Sequence, residues 1–212
     1  MNVFIVFAHP EENSFNSAMF KTAVKALQDG GHEVKTSDLY KMKYQAVSGK
    51  DNFTRLENNA YFKQQNEELY AARENTFTAD ILTEQEKIEW CDMMIWQFPL
   101  YWFSVPGILK GWIDKVFTMG KFYDNGRIFD NGFSVGKKAM LSLTTGGPEK
   151  NYIADKYGDI NSILFPIHRG IFEFLGFSVL QPEIVYSAER TSDEQRKMIL
   201  ENWSERLKNI EI

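Results

Sequence analysis

The sequence predicts an α/β protein built on a parallel β-sheet with helices on both of its faces. Strand-like and helix-like segments alternate along the 212 residues, and this alternation is typical of doubly wound sheets. Two of the strand-like segments, residues 3–8 and 93–98, are continuous apolar runs, as expected for strands that are buried on both faces. Turn-forming residues such as Gly30-Gly31 separate the segments.

Hydrophobic periodicity places five strands and six helices along the chain. The predicted strands are residues 3–8, 32–39, 93–98, 138–144 and 179–186. The predicted helices are residues 14–28, 60–73, 79–90, 106–117, 162–175 and 192–210, with irregular excursions at 40–59 and 120–136. Five strands in this rhythm favour the flavodoxin-like order 2-1-3-4-5, in which a ligand binds where the first and third strands diverge. Residues 1–212 are interpreted as a single domain.

Polar residues beside the predicted helices mark where these helices begin. Ser104 is the expected N-cap of helix 106–117, with Pro106 near its first turn. The string Thr191-Ser-Asp-Glu predicts a capped start for the last helix.

Composition and charge exclude several classes of function. The formal charge is −5, and because no basic run is present, neither nucleic acid nor an anionic membrane is an expected partner. Cys91 is the single cysteine and is expected to be a small core residue rather than a disulfide or metal ligand. The apolar N-terminus predicts a strand and not a signal peptide, and no apolar run reaches the roughly 20 residues that cross a bilayer. A cytoplasmic protein without a metal site is expected.

Three loops are expected to meet at the carboxyl edge of the sheet, because each follows a predicted parallel strand. The first contains His9, Ser14 and Asn16, and a helix begins within it. Backbone N–H groups at a helix N-terminus bind phosphate well, and His9 would add a donor. The same residues also fit a plain helix cap at Asn13 or Ser14, with His9 in solvent.

The second loop carries three adjacent aromatic residues, Tyr101, Trp102 and Phe103. Contiguous exposed apolar surface marks a binding site or an interface, so a stacked flat heterocycle is favoured over core packing. The third loop, Thr144-Thr-Gly-Gly147, offers hydroxyl groups and a backbone that a ligand can approach closely; a simple strand-end turn is the alternative. Phosphate, ring-face and ring-edge contacts together favour a flavin nucleotide.

Motifs spread over residues 1–212 match those of a known family. The most specific is the string Gln97-Phe-Pro-Leu-Tyr-Trp-Phe, continued by Val-Pro and by Leu-Lys-Gly-Trp112. The others are His9 with Ser14-Phe-Asn16, Ser37-Asp-Leu-Tyr40, Leu143-Thr-Thr-Gly-Gly147, Gly158-Asp159, Pro166-Ile167, Tyr186-Ser187 and Ile199-Leu-Glu-Asn-Trp203. On these motifs the chain resembles the flavodoxin-like NAD(P)H:quinone oxidoreductases, the DT-diaphorase family.

The resemblance implies a flavin enzyme with a defined set of site residues. It implies bound FAD, with FMN as the alternative, and a homodimer whose active sites lie at the subunit boundary. It also implies two-electron ping-pong transfer of hydride from NAD(P)H through the flavin to a quinone. The cofactor-binding residues carried over from the family are His9, Ser14, Phe15, Asn16, Leu100, Tyr101, Trp102, Phe103, Thr144, Thr145, Gly146, Gly147, Tyr152 and Arg196. Among these, Arg196 matches an arginine at the adenine end of FAD, and Tyr152 matches a tyrosine near the flavin N1/O2 edge.

The position of Tyr157 departs from the family pattern. Family members often carry a histidine there, and a phenol with an ordinary pKa of about 10 exchanges protons poorly near pH 7. Tyr152 and Tyr157 are the predicted catalytic residues, with protons supplied by Tyr157, His168 or water. Tyr123, Phe129 and His168 are the predicted substrate-binding residues, and a partly buried structural role near an interface is the alternative for His168.

Other functions remain open beside the leading hypothesis of a quinone reductase. An azo- or nitroreductase would use the same flavin chemistry with another acceptor. An ancillary regulatory subunit of a potassium-efflux system would use the chain as a binding module. A flavodoxin-type electron carrier is disfavoured, because the aromatic loop and the region around Tyr123 predict a covered pocket rather than an exposed flavin edge.

Overall fold

A parallel sheet of six strands forms the centre of the protein in the computed structural model, which describes residues 1–153 and 157–210. The strands are β1 Asn2–Phe7, β2 Glu33–Asp38, β3 Met93–Pro99, β4 Lys138–Thr144, β5 Ser178–Val179 and β6 Glu183–Val185. Their order is β2-β1-β3-β4-β5, and β6 pairs with β4 further along that strand. Each of these pairings is parallel, so the predicted flavodoxin-like order 2-1-3-4-5 is confirmed.

The fifth strand is divided into two pieces, although the sequence predicted one strand over 179–186. Val179 pairs with Ala139, and Glu183 pairs with Ser142. Between these two pairs the chain advances four residues from Val179 to Glu183 but only three residues along β4. One extra residue therefore interrupts the ladder, as in a β-bulge. Pro182 lies in the interruption, where its missing N–H costs no ladder hydrogen bond. The prediction of a continuous strand was wrong.

Helices lie on both faces of the sheet: α1 Phe15–Asp29, α2 Gln64–Glu74, α3 Ala79–Trp90, α4 Gly107–Val116, α5 Ile160–Ile167 and α6 Asp193–Lys208. The sequence predicted a regular helix over 162–175, but α5 passes directly into a π-helix, His168–Glu173. Pro166 inside α5 removes one backbone donor, which disturbs the regular hydrogen-bond ladder at this point. Short π-helical segments are frequent at functional sites.

The N-terminal residues of three helices can be compared with the predicted N-caps. Ser14 is the N-cap of α1, and its hydroxyl accepts from the N–H of Ser17 over 3.1 Å. Ser192 caps α6 in a capping box with Gln195, which confirms the predicted start. Ser104 is not an N-cap, because its backbone pairs with that of Tyr101 and α4 begins after Pro106.

The pleat of the strands divides their side chains between two cores. One core packs against α3, α4 and the π-helix, and its largest members include Phe4, Trp96, Trp112 and Phe172. The other packs against α1 and α6, and includes Ile5, Ile95, Met19 and Trp203. The same alternation directs Gln97, Ser142 and Thr144 toward the α1 side. Cys91 is fully buried in the first core, and burial raises the pKa of its thiol to about 12, so it is the core residue that the sequence predicted.

Candidate active site

A cavity of about 750 Å³ opens where β1, β3 and β4 end. The three loops that the sequence predicted to meet at this edge form most of its wall, and α6 closes one side. It is lined by ten of the predicted cofactor residues: His9, Ser14, Phe15, Asn16, Leu100, Tyr101, Thr144, Thr145, Gly146 and Arg196. Lining residues to which the sequence gave no cofactor role are Glu11, Asn13, Ala18, Pro99, Ala188, Glu189 and Leu200. Trp102, Phe103, Gly147 and Tyr152 are not part of the lining.

The loop after β1 presents hydrogen-bond donors to the cavity. The N–H of Glu11 lies 3.0 Å from Nδ1 of His9, and this contact holds the imidazole ring within the loop. Ser17 anchors the loop, because its hydroxyl donates to the carbonyl oxygen of Glu11 over 2.8 Å. The first N–H groups of α1 have no intrahelical partner. These donors and the positive end of the helix dipole suit a phosphate group.

The loop after β4 is held in place by backbone and hydroxyl hydrogen bonds. The hydroxyl of Thr145 donates to the carbonyl oxygen of Gly147 over 2.8 Å, and the N–H of Thr145 donates to Val185 over 2.9 Å. A Cβ added to Gly146 would meet nothing within 4 Å, so this residue exposes backbone to the cavity. A Cβ added to Gly147 would lie 3.0 Å from the ring of Tyr157. The first glycine therefore admits a ligand, and the second makes room for aromatic rings.

Tyr152 and Tyr157, the predicted catalytic residues, belong to a cluster of rings beside Gly147. Their ring centroids are 5.4 Å apart, and Tyr186 lies 5.6 Å from Tyr152. Phe103 extends the cluster, at 6.0 Å from Tyr157. The structure thus brings both tyrosines and one residue of the aromatic loop together, and their catalytic role stays a prediction.

The aromatic loop is a strained turn. The N–H and C=O groups of Tyr101 and Ser104 pair with each other over 3.0 and 2.9 Å. Between them, Trp102 and Phe103 have φ angles of 50° and 57°, a left-handed conformation that is rare for large side chains. Such residues cost on the order of 1–3 kcal/mol each and concentrate at functional sites. Trp102 is 97% exposed, which confirms the expected exposed ring.

A second cavity of about 560 Å³ holds one of the predicted substrate residues, Tyr123. Its lining residues come from α2, α4, the π-helix and their neighbours: Ser48, Gln64, Gln65, Glu68, Ile113, Asp114, Phe117, Tyr123, Gly170, Ile171, Phe174 and Leu175. Phe129 lies next to it, with its ring 5.5 Å from that of Phe174, and His168 begins the π-helix. The two cavities share no lining residue, so Tyr123 lies apart from the ten predicted cofactor residues that line the first cavity.

Burial favours the uncharged form of three titratable groups in or near the second cavity. It raises the pKa of Glu68 and of Tyr123, and it lowers the pKa of His168. Glu68 is held in place, because the N–H of Met119 donates to its Oε2 over 2.8 Å and Gln64 donates to its Oε1 over 2.9 Å. The sequence gave no signal for this carboxyl group. Phe117, Ile171 and Phe174 add apolar surface to the same cavity.

The described part of the chain lacks two other kinds of feature. Within residues 1–153 and 157–210, no group of three or more His, Cys, Asp or Glu side chains is arranged to hold a metal ion. In the same part of the chain, no helix combines the length and the apolar character needed to cross a membrane.

The sheet order and the cavity at its carboxyl edge define a flavodoxin-like protein, and a family model described as a flavodoxin-like fold matches residues 1–209. NAD(P)H dehydrogenase [quinone] 1 of Cavia porcellus is 46% identical, over 97% of this chain and 76% of that protein. Ribosyldihydronicotinamide dehydrogenase [quinone] of Rattus norvegicus is 43% identical, over 98% of this chain and 91% of that protein. A solved Klebsiella pneumoniae structure, assigned as a quinone reductase, has a TM-score of 0.93 and 38% identity, covering 98% of this chain and 83% of that one. The chain therefore belongs to the flavodoxin-like NAD(P)H:quinone oxidoreductase family, as its motifs predicted.

The family uses a flavin and NAD(P)H, and the first cavity fits a flavin. The helix start and His9 offer donors for phosphate oxygens, and Gly146 allows close approach to a flat ring. In addition, Nε of Arg196 is buried and has no hydrogen-bond partner among the described residues. A buried donor without a partner is costly, so a ligand acceptor at this end of the cavity would stabilise it.

Proposed function

We propose that the protein is a flavin-dependent NAD(P)H:quinone oxidoreductase. The observation that carries this proposal is the first cavity, in which a phosphate-binding helix start and an open glycine backbone meet at the ends of β1 and β4. The names of the relatives, which are quinone dehydrogenases, support the class of acceptor. When bound, the flavin supplies the hydride chemistry. The task of the chain is to bind the flavin, to orient its ring system and to polarise it.

Different residues bind the phosphates, orient the ring system and donate hydrogen bonds to it. His9 and the first N–H groups of α1 hold the phosphates, while Thr144, Thr145 and Gly146 orient the ring system. Tyr152 and Tyr157 act as hydrogen-bond donors where negative charge develops, as preorganised donors do in other active sites. Tyr157 offers a phenol O–H as its donor, where an imidazole would offer an N–H.

We also propose that the protein is a homodimer in which two chains build each active site. In support, the predicted substrate residue Tyr123 and the cofactor residues line separate cavities of one chain. The nearly fully exposed Trp102 sits on a strained turn, which fits a side chain that packs against another subunit. A two-fold dimer uses the same surface twice, so the second cavity of each chain would cover the first cavity of its partner.

The expected result for the isolated protein is a yellow flavoprotein whose flavin is bleached by NADH or NADPH without oxygen and recoloured by menadione. Absorption near the flavin bands follows both half-reactions, and comparing the two donors gives the nicotinamide preference. Azo and nitro compounds tested in place of menadione rank the alternative acceptors in the same assay. A protein that takes up neither FAD nor FMN would contradict the proposal.

FAD is the proposed flavin, because the cavity extends beyond the phosphate site to α6. Its far end is lined by Ala188, Glu189, Arg196 and Leu200, and the guanidinium of Arg196 lies 5.9 Å from the ring of Phe15. FMN ends at its phosphate and would leave this region without a ligand. The adenosine half of FAD would reach it.

Arg196→Met should therefore weaken FAD binding by about tenfold, the equivalent of one charge-assisted hydrogen bond, and leave FMN binding unchanged. Fluorescence titration of flavin-free protein measures both dissociation constants. Lys197→Met is the control, because this lysine is a neighbour in α6 that lines no part of the cavity. Equal losses for FAD and FMN would place Arg196 away from the adenosine half.

A further inference from the structure

We propose that Gln97 is a positioning residue that fixes which way the hydroxyl group of Thr144 faces the flavin cavity. The inference rests on the proposed function, because the flavin is the ligand that would use this hydroxyl. Gln97 is at the carboxyl end of β3 and is only 1% exposed. It does not line the cavity, so any effect on the ligand must pass through other residues.

A chain of buried hydrogen bonds leads from Gln97 to the cavity. Nε2 of Gln97 donates to Oδ1 of Asn16 over 2.8 Å, and Nδ2 of Asn16 donates to Oγ1 of Thr144 over 2.7 Å. Asn16 and Thr144 are 4% and 6% exposed, and both line the cavity. Water therefore competes little for these bonds, and each is stronger than it would be at the surface.

The direction of this chain decides what Thr144 offers to a ligand. A hydroxyl can donate or accept, whereas an amide has one donor end and one acceptor end. Because Gln97 donates to Asn16, the amide of Asn16 must present its donor end to Thr144. Thr144 then accepts through Oγ1, and its proton is left for a ligand acceptor.

Reversing the direction of these hydrogen bonds would reverse what Thr144 offers to a ligand. If an acceptor stood at position 97, Asn16 would turn its amide and present Oδ1 to Thr144. The hydroxyl of Thr144 would then donate to Asn16, and only its lone pairs would face the cavity. The flavin ring edge carries carbonyl oxygens and ring nitrogens that accept hydrogen bonds, so a donor fixed in advance favours binding at this edge.

The remaining polar atom of Gln97 makes no hydrogen bond that would explain glutamine at this position. Its Oε1 is buried and has no partner among the described residues, which carries a desolvation cost. Methionine at this position would fill the same space without that cost. Methionine would also remove the donor to Oδ1 of Asn16, so a measurement on Thr144 is needed to separate the structural role from the effect on the ligand.

The test is a double-mutant cycle on flavin binding with Gln97→Met and Thr144→Val. Each single change should raise the dissociation constant of the flavin about tenfold, the equivalent of one hydrogen bond. The double variant should bind no more than about twofold more weakly than Thr144→Val, because residues that act in series are not additive. The visible absorption band of the bound flavin should shift in the same direction in both single variants.

Ser142→Ala is the matched control, because Ser142 is the register partner of Gln97 on the same face of the sheet and is also fully buried. It should leave flavin affinity and the absorption band unchanged. If the methionine variant does not fold stably, Gln97→Glu replaces it in the same cycle, because glutamate keeps the shape and only accepts when ionised.

Two results would overturn the inference. One is a Gln97→Met protein that binds flavin as tightly as the wild type. The other is a double variant whose loss is the product of the two single losses, about a hundredfold, since Gln97 would then act independently of Thr144. A wild-type protein that binds no flavin would instead overturn the proposed function, so the two failures are distinguishable.

Discussion

Glu84→Leu is expected to lower the free energy of unfolding by about 3–5 kcal/mol, the usual cost of removing one partner of a buried ion pair. Glu84 is fully buried in α3. It accepts hydrogen bonds from Ser37 over 2.6 Å, from Lys87 over 2.6 Å and from the indole of Trp112 over 2.8 Å. Leucine would leave the Ser37 hydroxyl and the Trp112 indole without this acceptor, and Lys87 would keep only its contacts with Ser37 and Thr36. The hydrogen bonds that join β2, α3 and α4 at this carboxylate would be lost.

Urea unfolding followed by circular dichroism measures the loss as a shift in midpoint at constant slope. Glu86→Leu is the control, because Glu86 is an exposed residue of the same helix, and surface changes usually stay within about 0.5 kcal/mol. The double variant Glu84→Leu with Lys87→Leu should recover part of the loss, because it removes the unpaired charge as well. Similar losses at positions 84 and 86 would show that the buried carboxylate contributes little.

The order of the sheet could be predicted because it depends on local patterns. Apolar runs such as residues 93–98 mark buried strands, and helices between them force parallel pairing. Two predictions were wrong near prolines: the continuous fifth strand and the regular helix over 162–175. Pro182 divides the fifth strand and Pro166 precedes the π-helix, and the sequence alone did not show whether the neighbouring backbone would continue or change form.

The candidate site could be predicted only in part, for a related reason. Loops that follow parallel strands meet at one edge whatever their sequence separation, which is why His9, Tyr101 and Gly146 were placed correctly together. The hydrogen bonds through Gln97 could not be predicted, because its partner Asn16 is 81 residues away. A single glutamine in a predicted strand does not indicate which residue it bonds or which end of its amide does so. The second cavity was not predicted. Its lining comes from α2, α4 and the π-helix, and the rule that brings strand-end loops together does not apply to helices.

Two glycines allow the proposed dimeric active site to be tested by blocking one half at a time. Gly146 lines the first cavity and Gly170 lines the second. A Cβ added at either position would meet nothing within 4 Å, so a leucine can leave the backbone there without a clash at its first side-chain carbon. Gly146→Leu should abolish flavin binding. Gly170→Leu should keep its flavin and lose menadione reduction by about a hundredfold, as misplacement of a substrate does.

Mixed dimers of these two variants are expected to regain about half of the wild-type activity per dimer, because an isologous interface makes two equivalent sites. One of these sites joins the unchanged first cavity of the Gly170→Leu chain to the unchanged second cavity of the Gly146→Leu chain. The other site joins the two blocked halves and is inactive. Chains with different affinity tags, co-expressed and purified on both tags, provide the mixed dimer, and its flavin content should be half that of the wild type. If each active site lay within one chain, the mixed dimer would contain no intact site, and its activity would stay at the level of the two blocked parents.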